Sequence, residues 1–413
     1  MNDRDRMERL LRGLFGTGQM GRVGPAVPLC EGRGRHLSLR EAVPGEEEEN
    51  EGGTCYAVRR LIPGKWRHGG RLVRDLARLD MGLASVLAGD AVLNEMRVHD
   101  ALFLDTETTG LAGGTGTVAF LVGLAWFEGE DLVVRQLFAR DFDEEGAVLS
   151  SLGAVLRERG FIVTFNGRAF DCNLLQTRFI MNRLPNPLEG VPHLDLLHPA
   201  RRLFSHRLAS CSLGALEEAV LGVRRSGDVP GWEIPSLYFR WLRHGDASAL
   251  SAIFDHNRLD LLSMAALARV LGEVLDPEGE GENTPPGVMV RAGRLLLSRR
   301  RIDEGRRHLE RAAACRDDEA AREARRELSL LYKRAGRWDE ALRVWAEMVG
   351  EDPGDLFALV ELAKWWEHRG GEPARALELT LEALKVASGP SLDDLNRRRG
   401  RLEKKIRRRG GEG

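Results

Sequence analysis

The sequence predicts an α/β protein: a mixed five-stranded sheet flanked by helices over residues 96–275, then an all-α domain over residues 288–390. Three observations predict it. Short apolar runs of strand length cluster between Ala101 and Leu197, interleaved with helical segments. A breaker-rich stretch from Pro277 to Pro286 interrupts the pattern. Beyond it the apolar spacing is helical and repeats itself.

The strands follow in order. Ala101-Leu102-Phe103-Leu104 is an apolar strand running into Asp105, and Val118–Phe127 and Leu132–Phe138 are two more, separated by a hairpin turn at Glu128-Gly129-Glu130-Asp131. A helix around Ala147–Arg157 precedes the apolar strand Phe161–Phe165; a second helix starts near Phe170, and Val191–Leu197 reads as the fifth strand. Three consecutive strands followed by alternating helix and strand imply a mixed sheet with helices on its faces. Helices close this unit near Leu275, and residues 276–287 read as a linker.

Residues 1–95 read as a weakly patterned N-terminal extension. It holds an acidic stretch, Glu46–Gly53, expected to be a solvated loop, and a helix from about Val73 to Leu87. Past the linker, Tyr332, Gly336-Arg337-Trp338-Asp339-Glu340-Ala341, Trp345 and Pro353 come close to a tetratricopeptide pattern. Trp366, Gly370, Ala376 and Ala383 repeat that spacing with one extra residue, and Leu296–Ala312 is a fainter copy. About three such units are needed to bury a continuous core, and their concave face is expected to bind a protein partner. Residues 391–413 read as a basic tail able to supply phosphate contacts or simply to be solvated.

Length and composition set the limits. A chain of 413 residues calls for two or three domains. A formal net charge of −2 advertises no polyanion partner for the chain as a whole. Five dispersed cysteines without a C-x-x-C pair argue against a zinc site or a disulfide framework. With no secretory h-region and no apolar run of membrane-spanning length, the expected location is the cytoplasm, away from membranes.

Asp105-Thr106-Glu107-Thr108-Thr109-Gly110-Leu111 carries the chemistry. Residues two apart on a strand project from one face, so Asp105 and Glu107 present paired carboxylates at a strand end. Like charges that close repel unless a cation sits between them, which points to a divalent metal. Asp171 lies just after a buried strand at the start of a helix, a suitable setting for a further site acid, with a simple N-terminal helix cap the lesser alternative. His256 and Asp260, four apart, share a helical face.

Taken together, Asp105, Glu107, Asp171 and Asp260 occur in the order and setting of the motifs of DEDD exonucleases, whose sheet is RNase H-like. The resemblance to the YprB-type RNase H-like proteins is closer still. Phe103–Thr117 is similar to their first motif, and Thr164-Phe165-Asn166-Gly167, His193–Arg202 and His256-Asn257 to later ones; the trailing tetratricopeptide module also fits. The resemblance implies hydrolysis of phosphodiesters with two Mg²⁺ or Mn²⁺ ions held by Asp105, Glu107, Asp171 and Asp260, and His256 as general base. It further implies 3′→5′ action on nucleic acid, DNA in preference to RNA, in DNA repair beside a helicase partner. A histidine base in this class usually stands five residues before the last aspartate, a position held here by Asp255. A non-catalytic adaptor and a structure-specific endonuclease on the same fold are the alternatives.

Gly114-Thr115-Gly116-Thr117-Val118-Ala119 matches the dinucleotide fingerprint G-x-G-x-x-A, but a strand follows it where that motif needs a helix. Asp195 reads as a residue that orients the site, with metal ligation the lesser alternative. His193, His198 and Cys172 read as structural.

Overall fold

An apolar side chain at every position suits a strand covered on both faces. Ala101-Leu102-Phe103-Leu104 accordingly opens β5 (Ala101–Thr108) at the heart of the sheet, each at 1% exposure or less. The structure is a computed structural model and describes residues 37–110, 114–279, 284–315 and 319–410. On one side of β5 lie β6 (Ala119–Glu128) and β7 (Asp131–Phe138), antiparallel and joined through Gly129 in the left-handed region (φ 61°). On the other side β8 (Phe161–Thr164) and β9 (His193–Asp195) run parallel to it.

Two further strands extend the sheet to seven, in the order β1-β2-β7-β6-β5-β8-β9. They are β1 (Glu46–Asn50) and β2 (Gly53–Ile62), drawn from the stretch expected to be an N-terminal extension. The acidic run is therefore a strand and not a solvated loop. Its charges are answered by tertiary partners: Glu48 meets Arg135 and Ser151, and Glu47 meets Arg140 at 2.6 Å. A separate two-stranded ribbon pairs β3 (Arg67–His68) with β4 (Arg71–Leu72).

Helices cover both faces. Short helices α1 (Leu39–Ala42) and α2 (Val73–Leu76) precede α3 (Met81–Ala88). The single helix expected over Val73–Leu87 is broken because Asp80 caps the new helix, accepting the Leu83 amide at 2.9 Å. Next come α4 (Glu145–Arg157), α5 (Asp171–Met181), α6 (Leu197–Phe204), α7 (Leu213–Leu216), α8 (Ile234–His244) and the 26-residue α9 (Leu250–Leu275). The fifth strand is shorter than expected, since Leu197 already begins α6. Leu102 and Leu104 face α4 and α5, whereas Ala101 and Phe103 face α9, α3 and α6. That alternation decides which way the acids of β5 point.

Among the described residues, seven α-helices follow: α10 (Pro286–Ser298), α11 (Ile302–Ala313), α12 (Glu319–Arg334), α13 (Trp338–Glu351), α14 (Leu356–Trp365), α15 (Pro373–Val386) and α16 (Pro390–Gly410). Each packs on the next; the fully buried Trp345 sits in the core of α10–α15, and Leu395 of α16 packs with Leu359 and Ala383. The module is anchored to the α/β unit. Val288, Ala292, Leu295 and Leu296 of α10 join the core beneath α9, and His308 meets the Leu275 carbonyl at 3.0 Å. The basic segment expected as a tail is the last helix of the stack. Its Leu395 and Leu402 are buried, and Arg398 and Lys405 grip Glu367.

Cys55 and Cys172 are buried, and burial first of all pushes their thiols up to about 11 and about 12. Cys30 lies outside the described residues. Among the described residues no helix is long and apolar enough to cross a membrane.

Candidate active site

Strand parity builds the site. Asp105 and Glu107 share the face of Ala101 and Phe103, so they look toward α9. From α9, Asn257 donates through Nδ2 to Asp105 Oδ2 at 2.8 Å. Asn257 can reach because the residue paired with Asp105 on β6 is Gly123; a Cβ there would lie 2.1 Å from Asn257 Oδ1. Gln136 of β7 completes the brace, donating to Asn257 Oδ1 at 2.9 Å and to the Phe254 carbonyl at 2.8 Å. One helical turn on from Asn257, Asp260 looks the same way.

Thr106 faces the opposite side, and its hydroxyl donates to Asp171 at the first turn of α5. Phe170, not Asp171, is the N-cap residue, so the capping reading of Asp171 is set aside. The turn before it is held by Asp195, which accepts the backbone N–H groups of Asn166 (2.8 Å), Arg168 (3.1 Å) and Leu197 (3.1 Å). Asn166 sits at φ 66°, and Gly167 packs where a Cβ would meet Thr164 at 2.5 Å. Asp195 thus orients the turn that delivers Asp171. His193 is structural too: its Nε2 meets the Thr164 hydroxyl at 2.7 Å, and burial pushes its imidazole down to about 4.

The acids converge electrostatically. Burial holds the Asp105 carboxyl well above the usual range, and the charges of Asp260, Glu107 and Asp171 add to it, against the Asn257 hydrogen bond. Burial also pushes Glu107 up to about 8, reinforced by Asp260, Asp171 and Asp228 and opposed by Arg225. Asp171 rises to about 6, again through burial, against the Thr106 hydrogen bond. Such mutual repulsion in a buried place is the environment a hard divalent cation relieves.

Among the described residues no three histidine, cysteine, aspartate or glutamate side chains are already turned to one point at ligating distance. Three of the four acids are engaged otherwise: Asp105 with Asn257, Asp171 with Thr106, Asp260 with Arg225. The donor set, all carboxylate oxygen, fits a hard divalent cation in chemistry, and a carboxylate that accepts one hydrogen bond still has lone pairs left to ligate.

His256 stands one turn before Asp260, its Nε2 3.6 Å from Asp260 Oδ2. Its Nδ1 lies 3.0 Å from each oxygen of Asp228. Asp255, in the position expected of a base by spacing, turns instead to Arg60 and Arg258, both at 3.2 Å.

Residues 102–272 match the RNase H superfamily model. The "Uncharacterized protein YprB" of Bacillus subtilis (strain 168) is 33% identical over 320 residues, which cover 74% of this chain and 75% of that protein. The chain belongs to the YprB family. A family B DNA polymerase from the hyperthermophilic archaeon Pyrobaculum calidifontis is 15% identical with a TM-score of 0.36, over 58% of this chain and 29% of the polymerase chain. That likeness is too distant to bear on the site.

In this YprB-family chain, sequence reasoning overlooked Arg225, Asp228 and Glu217. Nothing in the Val223–Pro230 loop is periodic, and the loop becomes part of the site only by packing against α9. Asn257 carried a usable signal, three residues before Asp260 on one helical face. The RNase H superfamily domain together with this acidic cluster points to nuclease chemistry on nucleic acid.

Proposed function

We propose that the chain is a metal-dependent exonuclease of the DEDD type, acting 3′→5′ on DNA through a two-metal mechanism. One observation carries the reading: four carboxylates from three separate stretches of the chain lie within one another's electrostatic reach in a buried site. Asp105, Glu107, Asp171 and Asp260 would hold the ions. When bound, a pair of divalent cations supplies charge stabilisation for the attacking and leaving oxygens of the phosphate.

The rest of the chemistry falls to the chain. With Nδ1–H donated to Asp228, His256 keeps the Nε2 lone pair free on the side of Asp260. Nε2 then takes the proton of the attacking water, and Asp228 stabilises the imidazolium that forms. Asn257 and Thr106 keep Asp105 and Asp171 from turning out of the site. The preference for DNA, its repair and a helicase partner rests on the family resemblance. The helical stack, read as tetratricopeptide-like, is the proposed partner-binding surface.

The test uses end-labelled and internally labelled single and double strands of DNA and RNA, with Mg²⁺, Mn²⁺ or EDTA, beside Asp105→Ala. Release of mononucleotides from 3′ ends that needs both metal and Asp105 is the expected result. Internal cuts point to an endonuclease, and binding without cleavage to a non-catalytic adaptor.

A further inference from the structure

Arg225 is buried to 13% side-chain exposure among carboxylates. Its Nε donates to Glu217 Oε2 at 2.8 Å and its Nη1 to Asp228 Oδ2 at 3.0 Å, while Nη2 is shared between Glu217 and Asp260. The contacts are unequal. Glu217 is 2% exposed and also accepts the hydroxyl of Ser263, whose oxygen meets His68 Nε2 at 2.8 Å. The guanidinium is therefore anchored on Glu217 by a bidentate pair, and its contact with Asp260 is the one that can be surrendered.

We propose that Arg225 is a positioning residue of this site, its resident counter-charge, which holds Asp260 until a divalent cation enters and from which that cation must take it. The inference rests on the metal-dependent reading above. Two consequences follow from the geometry. The anchored guanidinium keeps a buried set of acids from repelling one another apart in the metal-free protein. It also sets a threshold, since the cation must outcompete an ion pair already made rather than meet a free carboxylate. Once Asp260 turns away, Arg225 keeps Glu217 and Asp228, so the acid that seats His256 stays in place through the exchange. Asp260 is then the movable member of the set, and Asp228 the fixed one.

The full-length protein decides this without nucleic acid. Mn²⁺ is titrated and the free ion followed by electron paramagnetic resonance, for the wild type, Arg225→Gln, Arg225→Lys and Asp105→Ala, with a melting curve for each. Removing the competing cation tightens Mn²⁺ binding by about tenfold in Arg225→Gln. Arg225→Lys keeps the charge but not the bidentate anchor, so its Mn²⁺ affinity falls between those of the wild type and Arg225→Gln. Unchanged or weaker binding in an Arg225→Gln protein that melts like the wild type overturns the inference, while the Asp105-dependent binding of the wild type leaves the metal reading standing. If no protein binds Mn²⁺, both fall. Should Arg225→Gln fail to fold, Mg²⁺ titration of the wild type with arginine-selective ¹⁵N labelling answers instead, Arg225→Lys assigning the signal. The Arg225 Nε–H resonance must shift as Mg²⁺ binds, and a resonance that stays put rejects the exchange.

Discussion

Asp228 holds His256 by Nδ1, 3.0 Å from each carboxylate oxygen, although the two residues lie on a loop and a helix far apart in the chain. Burial works to raise the Asp228 carboxyl, but hydrogen bonds from Arg225 and His256 outweigh it and keep it below its ordinary value. An ionised Asp228 therefore fixes both the tautomer and the aim of the imidazole.

Asp228→Asn keeps the shape of that partner and removes its charge. Cleavage is expected to slow by about 10–100-fold, the scale seen for groups that orient a catalytic ligand. The loss should fall on kcat, leaving KM near its original value. Steady-state kinetics on a labelled strand separate the two.

The raised carboxyls make the metal-free protein sensitive to base. Unfolded, Glu107 titrates near its ordinary 4.5, whereas in the folded chain it keeps its proton to about 8. Between those values the folded state binds more protons than the unfolded one, so stability falls as pH rises through the window. In EDTA the melting temperature should be lower near pH 8 than near pH 6. Glu107→Gln should shrink the difference, and Mg²⁺ should raise melting most at the higher pH. Differential scanning fluorimetry across pH gives all three readings.

Gly123→Ala tests the brace behind Asp105. Asn257 is fully buried and tied to both Gln136 and Asp105, so it has nowhere to retreat from a new methyl group. Overpacking of this kind costs about 1–3 kcal/mol. Urea unfolding should show that loss, and cleavage should fall with it because Asp105 loses its partner.

Glu145→Ala should be costlier. Glu145 and Arg178 form an ion pair buried on both sides, and Arg178 also donates to the Thr115 carbonyl at 2.8 Å in the turn leading into β6. Leaving that guanidinium unpaired is expected to cost about 3–5 kcal/mol by urea unfolding. Because Arg178 rides on α5, whose first turn carries Asp171, Mg²⁺-dependent stabilisation should weaken as well.

Much of this was legible along the chain, and the exceptions share a cause. Asp105 and Glu107 were readable because strand periodicity is local, and so was the shared face of His256 and Asp260, because helical periodicity is local. The Glu46–Asn50 run read as a loop since four successive acids carry no strand pattern; Arg135, Arg140 and Ser151, remote in sequence, make it a strand. The last helix was hidden in a basic run whose buried Leu395 and Leu402 are its sparse apolar contacts.

By itself the amino-acid order determined the α/β class and the helical module, and it singled out the four acids as candidates, because each is written in short-range patterns of polarity and charge. Only the tertiary structure decided that Arg225 and Asp228 belong with those acids and that Asp255 does not. Ion pairs between a loop and a helix depend on which surfaces pack together, and no local pattern encodes that.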